Sequence, residues 1–388
     1  MRIMFFVSSM NAGGAERVAA TLANAWVARG DVVTLVPTYS GRGTCFYPLH
    51  PDVRLVWLAD CLAGGLGKAA RPVAKLLEIR ALVRRSRPDV IVSFLSNVNV
   101  MVLAATRGLG VPVLVSERTN PAFSDEVGFF LAGLRRLSYG WASTVVMQSH
   151  DAVRAFRPMV PRVQHMVAIP NPLPPQLQGE SPWVHEGNHP APQAEPSPAG
   201  RLRLVAMGRL VHSKRFGPLI DIFARLAPAH PEWDLHIWGD GPLREALREK
   251  ISALNLAGRV VLEGRTSTPW EHLAQADIFV MTSEVEGFPN VLLEAMALGR
   301  ACVTVDCPSG PRDMTDEGRA GRLVPLGDES ALVDALAALM NDAGERMRLG
   351  RLAAGFVRER YGLPAVLALW DQAFTQAGVH TVGVAGHE

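Results

Sequence analysis

Cysteine is scarce in this chain, and the four present do not sit in pairs. Cys45, Cys61, Cys302 and Cys307 form no CxxC and no metal-ligand spacing. That excludes a disulfide framework and a zinc ribbon, and it suits a reducing compartment. Net charge is nearly absent as well: 39 basic against 37 acidic residues leave +2. No strong overall field for nucleic acid follows from so small a surplus. No apolar run approaches the length of a transmembrane helix. The opening Met-Arg-Ile-Met-Phe-Phe-Val-Ser-Ser9 is too short in apolar length for a signal peptide and reads as a strand. The expectation is a soluble or peripheral cytoplasmic protein.

What the chain does have is apolar substance. Hydrophobic residues make up 48% of 388, enough for two buried cores. Short β-branched runs alternate with amphipathic stretches, the pattern of βαβ units and parallel sheets. The first half places strands at 3–7, 32–36, 90–94, 113–115 and 144–147. After a Pro-rich, aperiodic segment the pattern restarts, with strands at 202–207, 234–238, 259–262, 278–282, 302–305 and 321–324. The fold class is α/β, two Rossmann-like domains facing across a cleft. The first spans 1–175, a linker follows at 176–200, and the second spans 201–362. Ligands of such sheets bind at the carboxyl ends of the strands.

The densest chemical signal is Glu286-Gly-Phe-Pro-Asn-Val-Leu-Leu-Glu294. A strand precedes it and a helix follows, with Asn290 expected as N-cap. A helix N-terminus draws anions. Two carboxylates beside such a site call for a ligand rich in both phosphate and hydroxyls, as a nucleotide sugar is. Taken alone, the pair would more often be surface charge. Its context is a backbone-approach loop, Gly287 to Asn290. In the same half stands Gly208-Arg-Leu-Val-His-Ser-Lys214. Arg209 offers a fork for phosphate and Lys214 a point charge.

In the first half, Gly13 and Gly14 follow the first strand and permit close approach of a ligand to the backbone. The motif is not GxGxxG, and no acidic residue ends the second strand, so a nicotinamide cofactor is not indicated. Glu117 and Arg118 end another strand and are expected either to point into the cleft or to pair with one another at the surface. Residues 68–87 carry Lys68, Arg71, Lys75, Arg80, Arg84, Arg85 and Arg87 against Glu78. Such a helix would rest on an anionic membrane, or simply have one wet face.

In order along the chain, these pieces resemble family four of the retaining glycosyltransferases, with the GT-B fold. The resemblance also takes in Ile-Pro-Asn-Pro172, Gly-Asp-Gly-Pro242 and Gly-Arg-Leu-Val-Pro325. Gly-Gly-Ala-Glu-Arg17, Ser-Glu-Arg-Thr-Asn120 and Pro-Ser-Gly-Pro-Arg312 look most like members that extend lipid-linked glycans. The resemblance implies that Arg209 and Lys214 bind the donor diphosphate, Glu294 the ribose, and Glu286 the donor sugar. Gly208 and the backbone of Gly287, Phe288, Pro289 and Asn290 would assist, and Gly14 would approach the phosphate. It implies a last helix, about 363–380, crossing back to the first domain. It implies transfer of a hexose or N-acetylhexosamine, from UDP by family frequency, to a glycan hydroxyl with retention, needing no metal or other cofactor. One departure stands out: where many members have a histidine after the strand at 113–115, this chain has Glu117-Arg118. The alternatives are a nucleotide-sugar epimerase of the same fold and a non-catalytic sugar-nucleotide-binding subunit.

Overall fold

The computed structural model describes residues 1–11, 13–39, 43, 45–62, 70–118, 128–179 and 200–379. The chain divides into two compact units, Met1–Pro172 with Leu363–Glu388, and Leu173–Gly362.

The first unit is built on β1 Arg2–Val7, β2 Val32–Pro37, β3 Arg54–Leu55, β4 Val90–Phe94, β5 Val113–Ser116, β6 Thr144–Met147 and β7 Met166–Ala168. These strands lie in the order β3-β2-β1-β4-β5-β6-β7, all parallel. Between them run α1 Gly14–Ala28, α2 Arg71–Ser86, α3 Ser96–Thr106, α4 Phe129–Ser138 and α5 His150–Phe156. β4 is buried at every position. That is why its sequence is apolar at every position but Ser93 rather than alternating: a parallel sheet is covered on both faces.

The second unit repeats the plan with β8 Leu202–Met207, β9 Trp233–Trp238, β10 Val260–Gly264, β11 Ile278–Met281, β12 Ala301–Val305 and β13 Arg322–Val324. Its order is β10-β9-β8-β11-β12-β13, again parallel. Its helices are α6 Phe216–Leu226, α7 Arg244–Ala253, α8 Pro269–Ala274, α9 Asn290–Ala297, α10 Pro311–Met314, α11 Glu329–Asn341 and α12 Ala343–Tyr361. The last helix, α13 Leu363–Gln376, belongs to the first unit. Val366, Trp370 and Phe374 enter the core formed by Phe5, Trp26 and Phe94. Trp370 meets Trp26 edge-on at 5.8 Å, and Arg29 pairs with Asp371 at 2.8 Å.

The boundary differs from the sequence expectation of a first domain to 175. The Leu173 amide donates to the Tyr361 carbonyl at 2.7 Å, and Leu173 and Leu177 are buried in the second core. Leu173, expected in the first domain, and Leu177, expected in the linker, thus both belong to the second core. Of the expected linker at 176–200, residues 180–199 lie outside the described residues.

Candidate functional site

β8 and β11 are neighbours in the second sheet, but the chain leaves β8 towards β9 and β11 towards β12. The loops after them therefore diverge, leaving a crevice at the strands' carboxyl ends. The β8 loop is held from one side by the Gly239–Pro242 turn. Gly208 donates its amide to the Trp238 carbonyl at 2.9 Å, and Leu210 donates to the Asp240 carbonyl at 3.0 Å. Gly239 has φ +135°, and a Cβ there would lie 1.9 Å from the Gly208 oxygen, so glycine is required. Asp240, read from sequence as a turn residue, accepts from the Gly241 amide at 2.9 Å.

A single helical turn, His212–Lys214, then ends at Arg215 in the left-handed region. This aims Lys214 back across the crevice. Its stem passes over Gly208, where an added Cβ would sit 3.5 Å from Cδ and Cε. Its Nζ donates to Glu286 Oε1, the two side chains being 22% and 11% exposed. Two further bonds join the loops. Thr282 Oγ1 donates to the Lys214 carbonyl at 2.9 Å, and the Glu284 amide donates to the Ser213 carbonyl at 2.8 Å. Nothing in the sequence marks Thr282, since it reads as the end of a strand.

Glu286 is carried on a loop packed from beneath. Its amide faces the Pro308 carbonyl at 3.4 Å. Phe288 and Pro289 are buried, Phe288 against Tyr361 at 6.1 Å. Gly310, φ +127°, backs onto Pro289, where a Cβ would come within 2.9 Å of Cδ. The aromatic ring and proline thus anchor the loop, leaving its backbone as the part available to a ligand. The amides of Gly287 and Phe288 donate to nothing among the described residues. α9 begins at Asn290 with Pro289 in the capping position, so Asn290 is not the N-cap expected from sequence. A proline there still ends the extended loop, because its ring fixes φ. Glu294 is on the second turn and only 4% exposed.

Arg209 is exposed, and its side chain has no partner among the described residues. Beside the pair, burial pushes the Cys307 thiol up to about 12, and the Glu286 charge adds to that. This thiol is therefore inert at neutral pH. A hollow lined by Arg215, Ile222, Thr282, Leu326 and Leu332 lies on the α6–α11 side, and neither Lys214 nor Glu286 lines it.

In the first unit, Gly14 opens α1, and Gly13 before it is extended. A Cβ on Gly13 would meet Glu16 Oε2 at 2.2 Å. The Glu16 carboxylate folds over the helix start and accepts from Ser9 Oγ at 2.8 Å, a favourable place for negative charge. Glu117 and Arg118 require a correction: they neither pair with one another nor lie at the surface. Glu117 is 1% exposed and accepts from Ser96 Oγ at 2.7 and 2.8 Å and from the Tyr139 hydroxyl. Asn99 Nδ2 donates to that hydroxyl at 3.0 Å. Burial raises the Glu117 carboxyl above its ordinary value, opposed by the Tyr139 and Ser96 hydrogen bonds and by the charge of Arg135. Arg118 is buried over the Phe94 ring at 3.5 Å and donates to Asn171 Oδ1 at 2.7 Å. Burial lowers it to about 9, so it keeps its proton at neutral pH. The Glu117 carboxylate is turned inward, onto Ser96 and Tyr139.

Among the described residues no group of three or more His, Cys, Asp or Glu could hold a metal ion, and no helix is long and apolar enough to cross a membrane.

Residues 13–172 match the family model described as glycosyl transferase 4-like domain, and residues 201–342 match glycosyl transferases group 1. The chain is 29% identical over 353 residues, 90% of itself and 91% of the relative, to a Campylobacter jejuni protein. That protein is named GalNAc-alpha-(1->4)-GalNAc-alpha-(1->3)-diNAcBac-PP-undecaprenol alpha-1,4-N-acetyl-D-galactosaminyltransferase. The chain is also 26% identical to an amylovoran biosynthesis glycosyltransferase of Erwinia amylovora, covering 93% of this chain and 95% of that one. Among solved structures, Anabaena HepE in complex with UDP superposes with a TM-score of 0.77 at 17% identity, covering 97% of this chain and all of that one. Sucrose-phosphate synthase of Thermosynechococcus elongatus gives 0.77 at 18% identity, covering 97% and 98%. At such identities these likenesses concern the fold.

Proposed function

This chain belongs to the family-four, group 1 glycosyl transferases of GT-B fold and is a retaining hexosyltransferase, and from that premise we propose its donor, its acceptor and the part each residue plays. The donor is a UDP-sugar, and the group moved is a hexose or N-acetylhexosamine. The acceptor is a hydroxyl of a lipid-linked glycan. The name of the C. jejuni relative and the UDP held by HepE support this reading. The observation that carries it is the Lys214–Glu286 contact across the β8–β11 crevice.

An unliganded site holds Lys214 and Glu286 as a neutral pair. A diphosphate, with more charge than one carboxylate, draws Lys214 away, and exposed Arg209 joins it. Glu286 is then free to accept hydrogen bonds from sugar hydroxyls. Glu294 holds the ribose, and the free amides of Gly287 and Phe288 face the donor. In the transfer the bond from the anomeric carbon to the diphosphate oxygen breaks. The acceptor oxygen bonds to that carbon on the same face, and its proton passes to the departing phosphate. The protein's share is positioning and stabilisation of charge on the leaving group. Arg209 and Lys214 supply that charge, so no metal is required. The basic residues of α2, within 68–87, would rest on the inner face of the cell membrane, where lipid-linked glycans are anchored; Lys68 lies outside the described residues.

The test is a screen of UDP-sugars with membrane lipid extract as acceptor and mass detection of product. Acceptor-dependent UDP release should persist in excess EDTA. Complete loss restored by magnesium would overturn the metal-free leaving group. Conversion of a UDP-sugar without acceptor would make the protein an epimerase.

A further inference from the structure

Arg118 is a buried cation with no acid to answer it. It is 8% exposed and keeps its charge at neutral pH. Burial alone acts on its proton, and no carboxylate does. Arg135, also buried, differs, because the Glu117 charge lies near it. The partners of Arg118 are neutral. Its guanidinium lies over the Phe94 ring at 3.5 Å, and its Nη1 donates to Asn171 Oδ1 at 2.7 Å. A ring face and one amide oxygen offset only part of the cost of taking a guanidinium out of water.

These contacts leave one edge of the guanidinium unengaged. Nε is covered and has no hydrogen-bond partner, and Nη2 donates to nothing among the described residues. Nε and Nη2 share an edge of the planar group, a fork that grips a phosphate or carboxylate by two parallel bonds. Nη1 lies outside that fork, and it is the nitrogen that Asn171 engages. Gln148 Nε2 donates to the same Asn171 Oδ1 at 2.9 Å, which fixes the amide in place. Phe94, Arg118, Gln148 and Asn171 stand at or just beyond the carboxyl ends of β4, β5, β6 and β7, the end of a parallel sheet where ligands bind. Leu95, directly after the ring, has φ +78°, a region that leucine seldom enters. Strain of this kind gathers at binding sites.

We propose that Arg118 is an acceptor-binding residue whose Nε–Nη2 edge takes an oxyanion, phosphate or carboxylate, carried by the acceptor. This rests on the transferase reading above, in which Arg209 and Lys214 of the second unit meet the donor's charge and the first unit's arginine is left for the other substrate. The oxyanion itself is testable without any transfer.

The first experiment is thermal unfolding of the full chain as Lys214→Ala, with and without Arg118→Met, so that the second unit's lysine is silent. Inorganic pyrophosphate and glucuronate are each compared with sodium chloride of equal ionic strength. At least one of the two should raise Tm where Arg118 is present and not where methionine replaces it; the one that does so identifies the oxyanion. Equal shifts in both proteins, or none, would overturn the proposal. Without anion, Arg118→Met should unfold no earlier than its parent, because methionine keeps the stem and removes a lone buried charge. Kinetics then assign the oxyanion to its substrate. Arg118→Met and Arg118→Lys, which keeps the charge without the fork, should each raise the acceptor KM roughly tenfold or more and leave the donor KM unchanged. An unchanged acceptor KM, or a rise confined to the donor, would show a structural or donor role and overturn the proposal. If no donor gives transfer, the transferase reading falls, while the anion-dependent Tm still decides whether Arg118 binds an oxyanion.

Discussion

Lys214 is placed by its own backbone as much as by Glu286. Thr282 Oγ1 holds the Lys214 carbonyl at 2.9 Å, fixing the turn from which the side chain departs. Thr282→Val keeps the shape and removes that donor. The expected result is a fall in kcat/KM of roughly fivefold, from the loss of about 1 kcal/mol in positioning, with little change in Tm. Steady-state kinetics beside thermal unfolding will check it. Glu117 bears on stability instead. Folded Glu117 holds its proton more tightly than the unfolded chain, whose value is near 4.5. The native state therefore gains from that proton below this pH and loses the gain as pH rises through the higher folded value. Glu117→Gln has no proton to lose. The wild-type Tm should fall relative to the variant's as pH rises from about 4, in addition to any constant offset from altered hydrogen bonds. A pH-independent difference would count against a raised carboxyl. Sequence could not show this burial. The partners Ser96 and Tyr139 stand 21 and 22 residues away, and a glutamate beside an arginine resembles a surface pair.

Among the elements, central strands were legible because burial on both faces leaves an unbroken apolar run, as at Ile3–Val7 of β1 and throughout β11. β3 and β7, with two and three residues, lie at or towards the sheet margins, where no run develops. The start of α9 was misplaced by one residue because asparagine is the commoner cap and proline is read as a stop. The turn at Gly239 carries a testable demand. With φ +135° and the Gly208 oxygen 1.9 Å from any Cβ, Gly239→Ala must displace the loop that bears Arg209 and Lys214. A loss of about 2 kcal/mol or more in urea unfolding is expected, with activity reduced beyond what the remaining folded fraction accounts for. Wild-type stability would show that the two loops are not in contact as described.

At the scale of the molecule, two sheets that share the order 3-2-1-4-5-6, the first with a seventh strand added, arise from halves with no close sequence repeat, because the βαβ pattern and right-handed crossovers allow few other solutions. The return of α13 to the first unit was legible only through family resemblance. Its apolar face names no partner until Trp370 is seen against Trp26. Arg209, Lys214, Glu286 and Glu294 all lie in the second unit, so the proposed donor contacts belong to a single folded body. The most direct test is acceptor-dependent UDP release by purified wild type and Lys214→Ala, at matched folded concentrations, with lipid-linked acceptor. The account predicts a rate roughly 10²–10³ lower in the variant, with unchanged thermal unfolding; a wild-type rate from Lys214→Ala would contradict it.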